Sequence, residues 1–286
     1  MSALISITGL NKSYKTKHVL NDVNLHVSAG QILGLVGPNG AGKTTCLQAL
    51  LGLTQYEGSI DVLGYNPQKQ RDTMLNDVAY IADVAVLPKW LKVCQALTYM
   101  QGVHPNFNRS KAEAFLAKTN IPTSAKVKTL SKGMVTQLHL ALVLAIDAKV
   151  LVLDEPTLGL DILTRRQFYN HLLEDFYDEE KCIIVTTHQI EEIEHILTDV
   201  AFIRDGSIAL AESVEDIRNR FKMLTVTNQN LEQAKALKPL YSNSIMGLTS
   251  MLFDQQDTEE LAVLGDVSSP SLADIFVGIM TQEVSA

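Results

Sequence analysis

The chain has 286 residues, with 24 lysines and arginines against 32 aspartates and glutamates, and a net charge of −8. Hydrophobic residues make up 46% and charged ones 20%, the balance of a chain that folds around a core, and the acidic surplus argues against a general nucleic-acid binder, which needs a basic face. Three widely spaced cysteines, Cys46, Cys94 and Cys182, disfavour a disulfide scaffold or a zinc module and make the cytosol the default compartment.

Leu4 to Ile7 and Val19 to Val27 alternate like strands, with turns expected at Asn21-Asp22 and at Ser28-Ala29-Gly30. Gln31 to Gly37 is an apolar run, the mark of a strand buried on both faces. A glycine-rich loop and a helix over Thr44 to Leu51 follow, then short strands at Ser59 to Leu63 and Val78 to Ile81. Between Lys89 and about Lys128 the pattern turns helical, with Trp90, Leu91, Leu97, Tyr99 and Met100 in one piece and Ala112 to Ala117 in another. Ser131 caps a helix in which Met134, Leu138, Leu142 and Ala145 recur at helical spacing. Val150 to Leu153 and Ile183 to Thr186 read as further doubly buried strands, with an amphipathic helix over about Leu163 to Phe176 between them. Phe202 to Ala209 carries Asp205-Gly206 between apolar flanks, a strong hairpin signal. A helix over Val214 to Arg220 leads to a tail with a strand at Met223 to Thr227. The alternation predicts an α/β core with a largely parallel sheet. The most apolar run, Leu140 to Ile146, stops at Asp147, well short of the roughly 18–20 residues that span a bilayer. No leader is visible at the start, so work at a membrane requires a separate spanning protein.

Chemistry concentrates at three places. Gly37-Pro38-Asn39-Gly40-Ala41-Gly42-Lys43-Thr44 fits G-x-x-x-x-G-K-[ST] between a buried strand and a helix. Glycines let backbone N–H groups converge on phosphate oxygens, and the helix N-terminus adds partial positive charge. Lys43 reaches the outer phosphates, Thr44 offers a hydroxyl to Mg²⁺, and Thr45 continues the site. A glycine-rich turn with a stray lysine is the bland alternative. Second, the strand Leu151-Val152-Leu153 ends in Asp154-Glu155-Pro156. Carboxyl ends of strands bear ligands in open α/β sheets. Asp154 is expected in the Mg²⁺ shell, and Glu155 is expected to orient or polarise the attacking water. Alone, an acidic strand end is often only a solvated turn. Third, Thr186-Thr187-His188 ends another core strand at the same edge, which favours a γ-phosphate contact for His188 over a merely structural role.

Together these residues resemble the nucleotide-binding subunit of an ABC transporter, over roughly residues 4 to 220. Leu130-Ser131-Lys132-Gly133-Met134 corresponds to the family's LSGGQ signature, Gly159-Leu160-Asp161 to its D-loop, and Tyr14 to the aromatic position that stacks on adenine. The resemblance implies a P-loop NTPase of the ABC ATPase fold: a mixed sheet, N-terminal antiparallel strands, a helical subdomain at about 85–130 within an ATPase domain of 1–220, and a small accessory domain over 221–286. It implies ATP with Mg²⁺, and a second ATPase subunit, identical or not, whose Ser131, Lys132, Gly133 and Asp161 counterparts complete each ATP site. It implies a membrane-spanning permease subunit and a peripheral place on the cytoplasmic side of the membrane. Asp83 stands where the family has a glutamine that shares the Mg²⁺ shell, and Lys132 and Met134 replace glycine and glutamine. Pro270-Ser271-Leu272-Ala273-Asp274-Ile275-Phe276 resembles the P-S-L-E-D-x-F helix that closes ABC-2 export ATPases, and the SKGM signature is similar to that of Ytr-type exporter ATPases. A soluble ABC ATPase acting on nucleic acid or the ribosome is the alternative; tandem domains, coiled coils and zinc modules typical of those are not seen. A different P-loop kinase or GTPase fits the signature and His188 poorly. The apolar, proline-broken stretch from Asp83 to about Tyr99 is expected to dock the membrane partner, with packing of Trp90 onto the core as the competing expectation.

Overall fold

The structure, a computed structural model, describes residues 3–82 and 87–281. Strands β1 (Ala3–Tyr14) and β2 (Lys17–Ser28) form an antiparallel hairpin, followed by β3 (Ile32–Val36), α1 (Lys43–Leu50), β4 (Glu57–Val62), α2 (Arg71–Met74) and β5 (Val78–Ile81). Helices α3 (Val93–Val103), α4 (Arg109–Ala117) and α5 (Lys132–Leu144) lead to β6 (Val150–Asp154), α6 (Ile162–Asp175) and β7 (Cys182–Thr187). After two short 3₁₀ turns, Ile190–Glu192 and Glu194–Ile196, come β8 (Asp199–Arg204), β9 (Ser207–Ser213) and α7 (Val214–Arg220). The tail holds β10 (Phe221–Thr227), α8 (Leu231–Ala236), β11 (Tyr241–Ile245), β12 (Leu248–Asp254), α9 (Thr258–Ala262), β13 (Asp266–Ser268) and α10 (Leu272–Thr281).

The central sheet has six strands in the order β5-β6-β7-β3-β8-β9. All pairs are parallel except β8–β9, the hairpin that Asp205-Gly206 predicts. Period-two alternation splits each buried strand between two cores. Val150, Val152 and Ile184 pack with Cys46, Leu47 and Leu50 of α1 and with the N-terminal strands. Leu151, Leu153, Ile183 and Val185 face the opposite cluster of α3 to α6. Each such side chain contributes roughly 1.5–3 kcal/mol on burial, so α1 is clamped between the central sheet and the three-stranded antiparallel sheet β2-β1-β4.

Two expectations change. Asn21-Asp22 is not a turn but a bulge inside β2: Asp22 has φ 48° and its N–H is accepted by Asn11 Oδ1 at 3.0 Å. The hairpin turns instead at Lys15-Thr16, with Lys15 at φ 54°. Trp90 and Leu91 precede α3 rather than joining it, because Pro88 starts a turn closed by Leu91 N–H to the Pro88 carbonyl at 2.9 Å. In the tail the strand expected at Met223 to Thr227 is present as β10 and is extended by neighbours into an antiparallel sheet, β11-β12-β10-β13, over a small core of Leu224, Val226, Met251, Phe253 and Leu261.

Candidate functional site

Parallel registry places Thr186 beside Asp154 and Thr187 beside Val36. The carboxyl ends of β6, β7 and β3 therefore meet at one edge, and the chain leaves each of them through a segment that carries chemistry. From β3 it enters the Gly37–Thr44 loop. Gly37 lies so close to β8 that a Cβ there would sit 2.5 Å from the Ile203 carbonyl. Gly42 adopts φ 109°, a conformation open to glycine, and a Cβ would meet Leu20 at 2.7 Å. As the N-cap of α1 it brings no capping side chain, and no acid lies in the first turn. The first amides of α1 are thus left facing the loop, a ready anion site.

Lys43 is 6% exposed, and its ammonium donates to the Gly37 carbonyl at 2.7 Å. It also lies 3.6 Å from Glu155 Oε1. Asp154 is fully buried at the end of β6. Its Oδ1 accepts from Thr186 Oγ1 at 2.6 Å and from Thr44 Oγ1 at 3.3 Å. From sequence, Thr186 only marks the strand end before His188 and carries no role of its own. It also accepts the Glu155 N–H at 3.1 Å, so one hydroxyl fixes both carboxylate residues. Its place across from Asp154 is set by the β6–β7 register, which the sequence alone does not carry. Glu155 takes φ 46°, unusual for a side chain of its size, which turns it out of the strand line. His188 Nδ1 lies 3.0 and 2.9 Å from the two Glu155 oxygens and donates to the carboxylate.

Lys43, Thr44, Glu155 and His188 line one cleft of about 620 Å³ together with Tyr14, Lys17, Asn39, Thr45 and Leu158, while Asp154 and Thr186 are fully buried. Gly40 and Gly42 complete its loop wall. Gly37 and Ala41 are buried beneath the loop, Ala41 being 5% exposed, while Pro38 is exposed and its carbonyl accepts the Ala41 N–H at 3.2 Å. Tyr14 is 45% exposed at the rim and carries the Lys12 ammonium 4.7 Å from its ring centroid.

The signature residues do not line this cleft. Ser131 caps α5, accepting the Met134 N–H at 3.2 Å. The Lys132 ammonium fills the space that a Cβ on Gly159 would need, and Gly133 rests against Thr164. The signature and D-loop therefore pack on each other within one chain. Asp161 caps α6, accepting from the Thr164 N–H at 3.0 Å and its hydroxyl at 2.7 Å, which holds its carboxyl below the usual carboxylate range. Arg165 pairs with Glu192, tying the same helix to the turns after His188. Asp83 and the start of the expected docking loop lie outside the described residues. Trp90, just beyond them, is 69% exposed and Tyr99 65%, against the expectation that Trp90 packs into the core.

The ABC transporter family model matches residues 20–158. The lantibiotic transport ATP-binding protein SrtF of Streptococcus pyogenes is 32% identical over 221 residues, 76% of this chain and 93% of that protein. The ABC transporter ATP-binding protein YtrB of Bacillus subtilis (strain 168) is 24% identical over 267 residues, 92% of this chain and 91% of its own length. A solved ATP-binding subunit of an ABC transporter superposes with a TM-score of 0.67 at 24% identity, over 76% of this chain and 92% of that one. The fold and the cleft define a P-loop ATPase of the ABC cassette type. The chain belongs to the ATP-binding proteins of ABC transporters.

Proposed function

We propose that this chain is the ATP-hydrolysing subunit of an exporter, bound peripherally to the cytoplasmic face of a membrane through a separate spanning subunit. The observation that carries the reading is the split of the site. Lys43, Thr44, Glu155 and His188 line the cleft, with buried Asp154 hydrogen-bonded to Thr44, while Ser131 to Gly133 stand outside it. A second cassette, placing its own Ser131-headed helix N-terminus over the triphosphate, would close the cleft. Lys132 would then bring a cation toward an anionic ligand.

Within one chain the roles follow from chemistry. The loop amides and Lys43 bind the phosphates, and Tyr14 offers its half-exposed ring to the base. The Thr44 hydroxyl and Asp154 carboxylate, 3.3 Å apart, are hard oxygen donors of the kind Mg²⁺ prefers. Bound there, Mg²⁺ would offset charge on the phosphate oxygens. Glu155 orients the attacking water and takes its proton, and His188 fixes the Glu155 carboxylate. Among the described residues no helix is long and apolar enough to cross a membrane, which fits a division of labour with a permease. The outward direction rests on the likeness of Pro270 to Phe276 to the closing helix of export ATPases. We read 1–220 as the ATPase domain, with the helical subdomain at about 85–130, and 221–286 as an accessory domain. The test is the mass in solution of Glu155→Gln, slowed in hydrolysis, with and without ATP. The reading expects a doubling of mass with ATP; a monomer at saturating ATP contradicts it.

A further inference from the structure

The tail motif at Pro270 to Phe276 has a physical role that the ATP site does not use. Ser271 and Asp274 form a capping box: the Asp274 N–H donates to Ser271 Oγ at 3.1 Å, and the Ser271 N–H to Asp274 Oδ2 at 3.1 Å. This starts α10 at a fixed place. Leu272, Ile275 and Ile279, 1%, 0% and 8% exposed, then enter the same core as Ile190, Ile193 and Ile196 of the two 3₁₀ turns. The Leu272 N–H donates to Glu194 Oε1 at 3.3 Å, and Arg218 of α7 lies 3.8 Å from the same oxygen. Phe276 meets Phe202 of β8 edge to face at 5.2 Å, and Arg204 Nη1 donates to the Ile279 carbonyl at 2.7 Å.

Both surfaces under α10 support the ATP cleft. The turns begin two residues after His188. They are gripped on one side by the Arg165–Glu192 pair from α6 and on the other by α10 through Glu194. β8 pairs with β3, placing Phe202 beside Val36, and its Ile203 backs Gly37 and Gly42 of the phosphate loop. The turns are closed only by short-range bonds, Ile193 N–H to the Ile190 carbonyl and Ile196 N–H to the Ile193 carbonyl, both at 3.0 Å, so their place against the sheet is set by what packs on them. We infer that α10 is a positioning element for hydrolysis: by holding residues 190–196 through Glu194, and β8 beside them through Phe276, it sets His188 against Glu155. The C-terminal region is thereby wired to the rate of the ATPase, a route by which whatever engages that region can tune turnover. The inference rests on the reading of His188 and Glu155 as the hydrolytic pair.

A purely structural helix would, when loosened, lower stability and ATP binding together. A positioning helix lowers kcat at unchanged KM, and its effect disappears once His188 is gone. The test compares Glu194→Ala and Phe276→Leu, alone and combined with His188→Ala, in the full chain. It reads kcat and KM for ATP beside the melting temperature. The milder Phe276→Leu keeps apolar volume in case Glu194→Ala folds poorly. The expected result is about a three- to tenfold fall in kcat for each single variant, with KM held within about twofold and no further fall in the His188→Ala background. Unchanged kcat in both variants, or an equal fall in both backgrounds, overturns the inference and leaves His188 catalytic. Full activity of His188→Ala alone overturns the hydrolytic-pair reading and the inference with it.

Discussion

Exchanging Glu155 for glutamine keeps the shape of the side chain and removes its charge and basicity. The carboxylate is 14% exposed, 3.6 Å from the Lys43 ammonium and bound through both oxygens to His188 Nδ1 at 2.9 and 3.0 Å. The amide retains one acceptor for Nδ1 but cannot take a proton from water. Loss of a positioned general base costs about 10²- to 10⁴-fold in rate, or roughly 3–5 kcal/mol of barrier. ATP binding should survive, because the amides of the Gly37–Thr44 loop and Lys43 are untouched. Lys43 keeps its bond to the Gly37 carbonyl and, freed of Glu155, has one anion fewer to leave. The expected outcome is a kcat at least about 100-fold down with ATP affinity within about threefold of the parent. Phosphate release under single-turnover conditions, beside a fluorescent-nucleotide titration, reads both. A rate within tenfold of the parent would refute Glu155 as the base.

Lys43→Ala should instead lose ATP binding itself, since the full cation facing the triphosphate disappears; an unchanged titration contradicts the phosphate-loop assignment. Thr186→Val keeps the volume but removes the 2.6 Å bond to buried Asp154. A loss of about 1.5–3 kcal/mol of stability, partly offset by Thr44, is expected together with a weaker Mg²⁺ dependence of turnover; a calorimetric melt and ATPase rates across a Mg²⁺ series check it, and parental values in both contradict it. Trp90→Ala should leave folding and basal ATPase intact in the isolated chain while abolishing assembly with the membrane partner, since Trp90 is exposed whereas Leu87 packs against the main core. Unfolding of isolated Trp90→Ala, seen by circular dichroism, would contradict its reading as an exposed docking residue.

What the sequence disclosed depended on the range of the forces involved. The phosphate loop, the Asp154-Glu155 strand end and His188 were legible because contiguous residues carry each of them and doubly buried strands mark where they must end. Helix α7 and strand β5 were legible to the residue for the same reason: local patterning and local capping decide them. Thr186 was not, because its importance arises from lying across a strand from Asp154, a register that sequence does not print. The bulge at Asp22 depends on an acceptor from Asn11 on the neighbouring strand. Strand β11, Tyr-Ser-Asn-Ser-Ile, is polar and exposed at a sheet edge, so it gives no hydrophobic alternation to read. The docking of α10 beneath the turns after His188 joins segments far apart in the chain, and only the fold brings them together.

The central claim is that the ATP chemistry of this chain drives a separate membrane-spanning protein. The most direct measurement is purification of the tagged full chain from detergent-solubilised membranes of its own cells, with mass spectrometry of what accompanies it and ATPase activity of the eluate. The expected result is a stoichiometric membrane-spanning subunit that is lost with Trp90→Ala. Recovery of the chain free of any membrane protein, or with ribosomal particles instead, would contradict it.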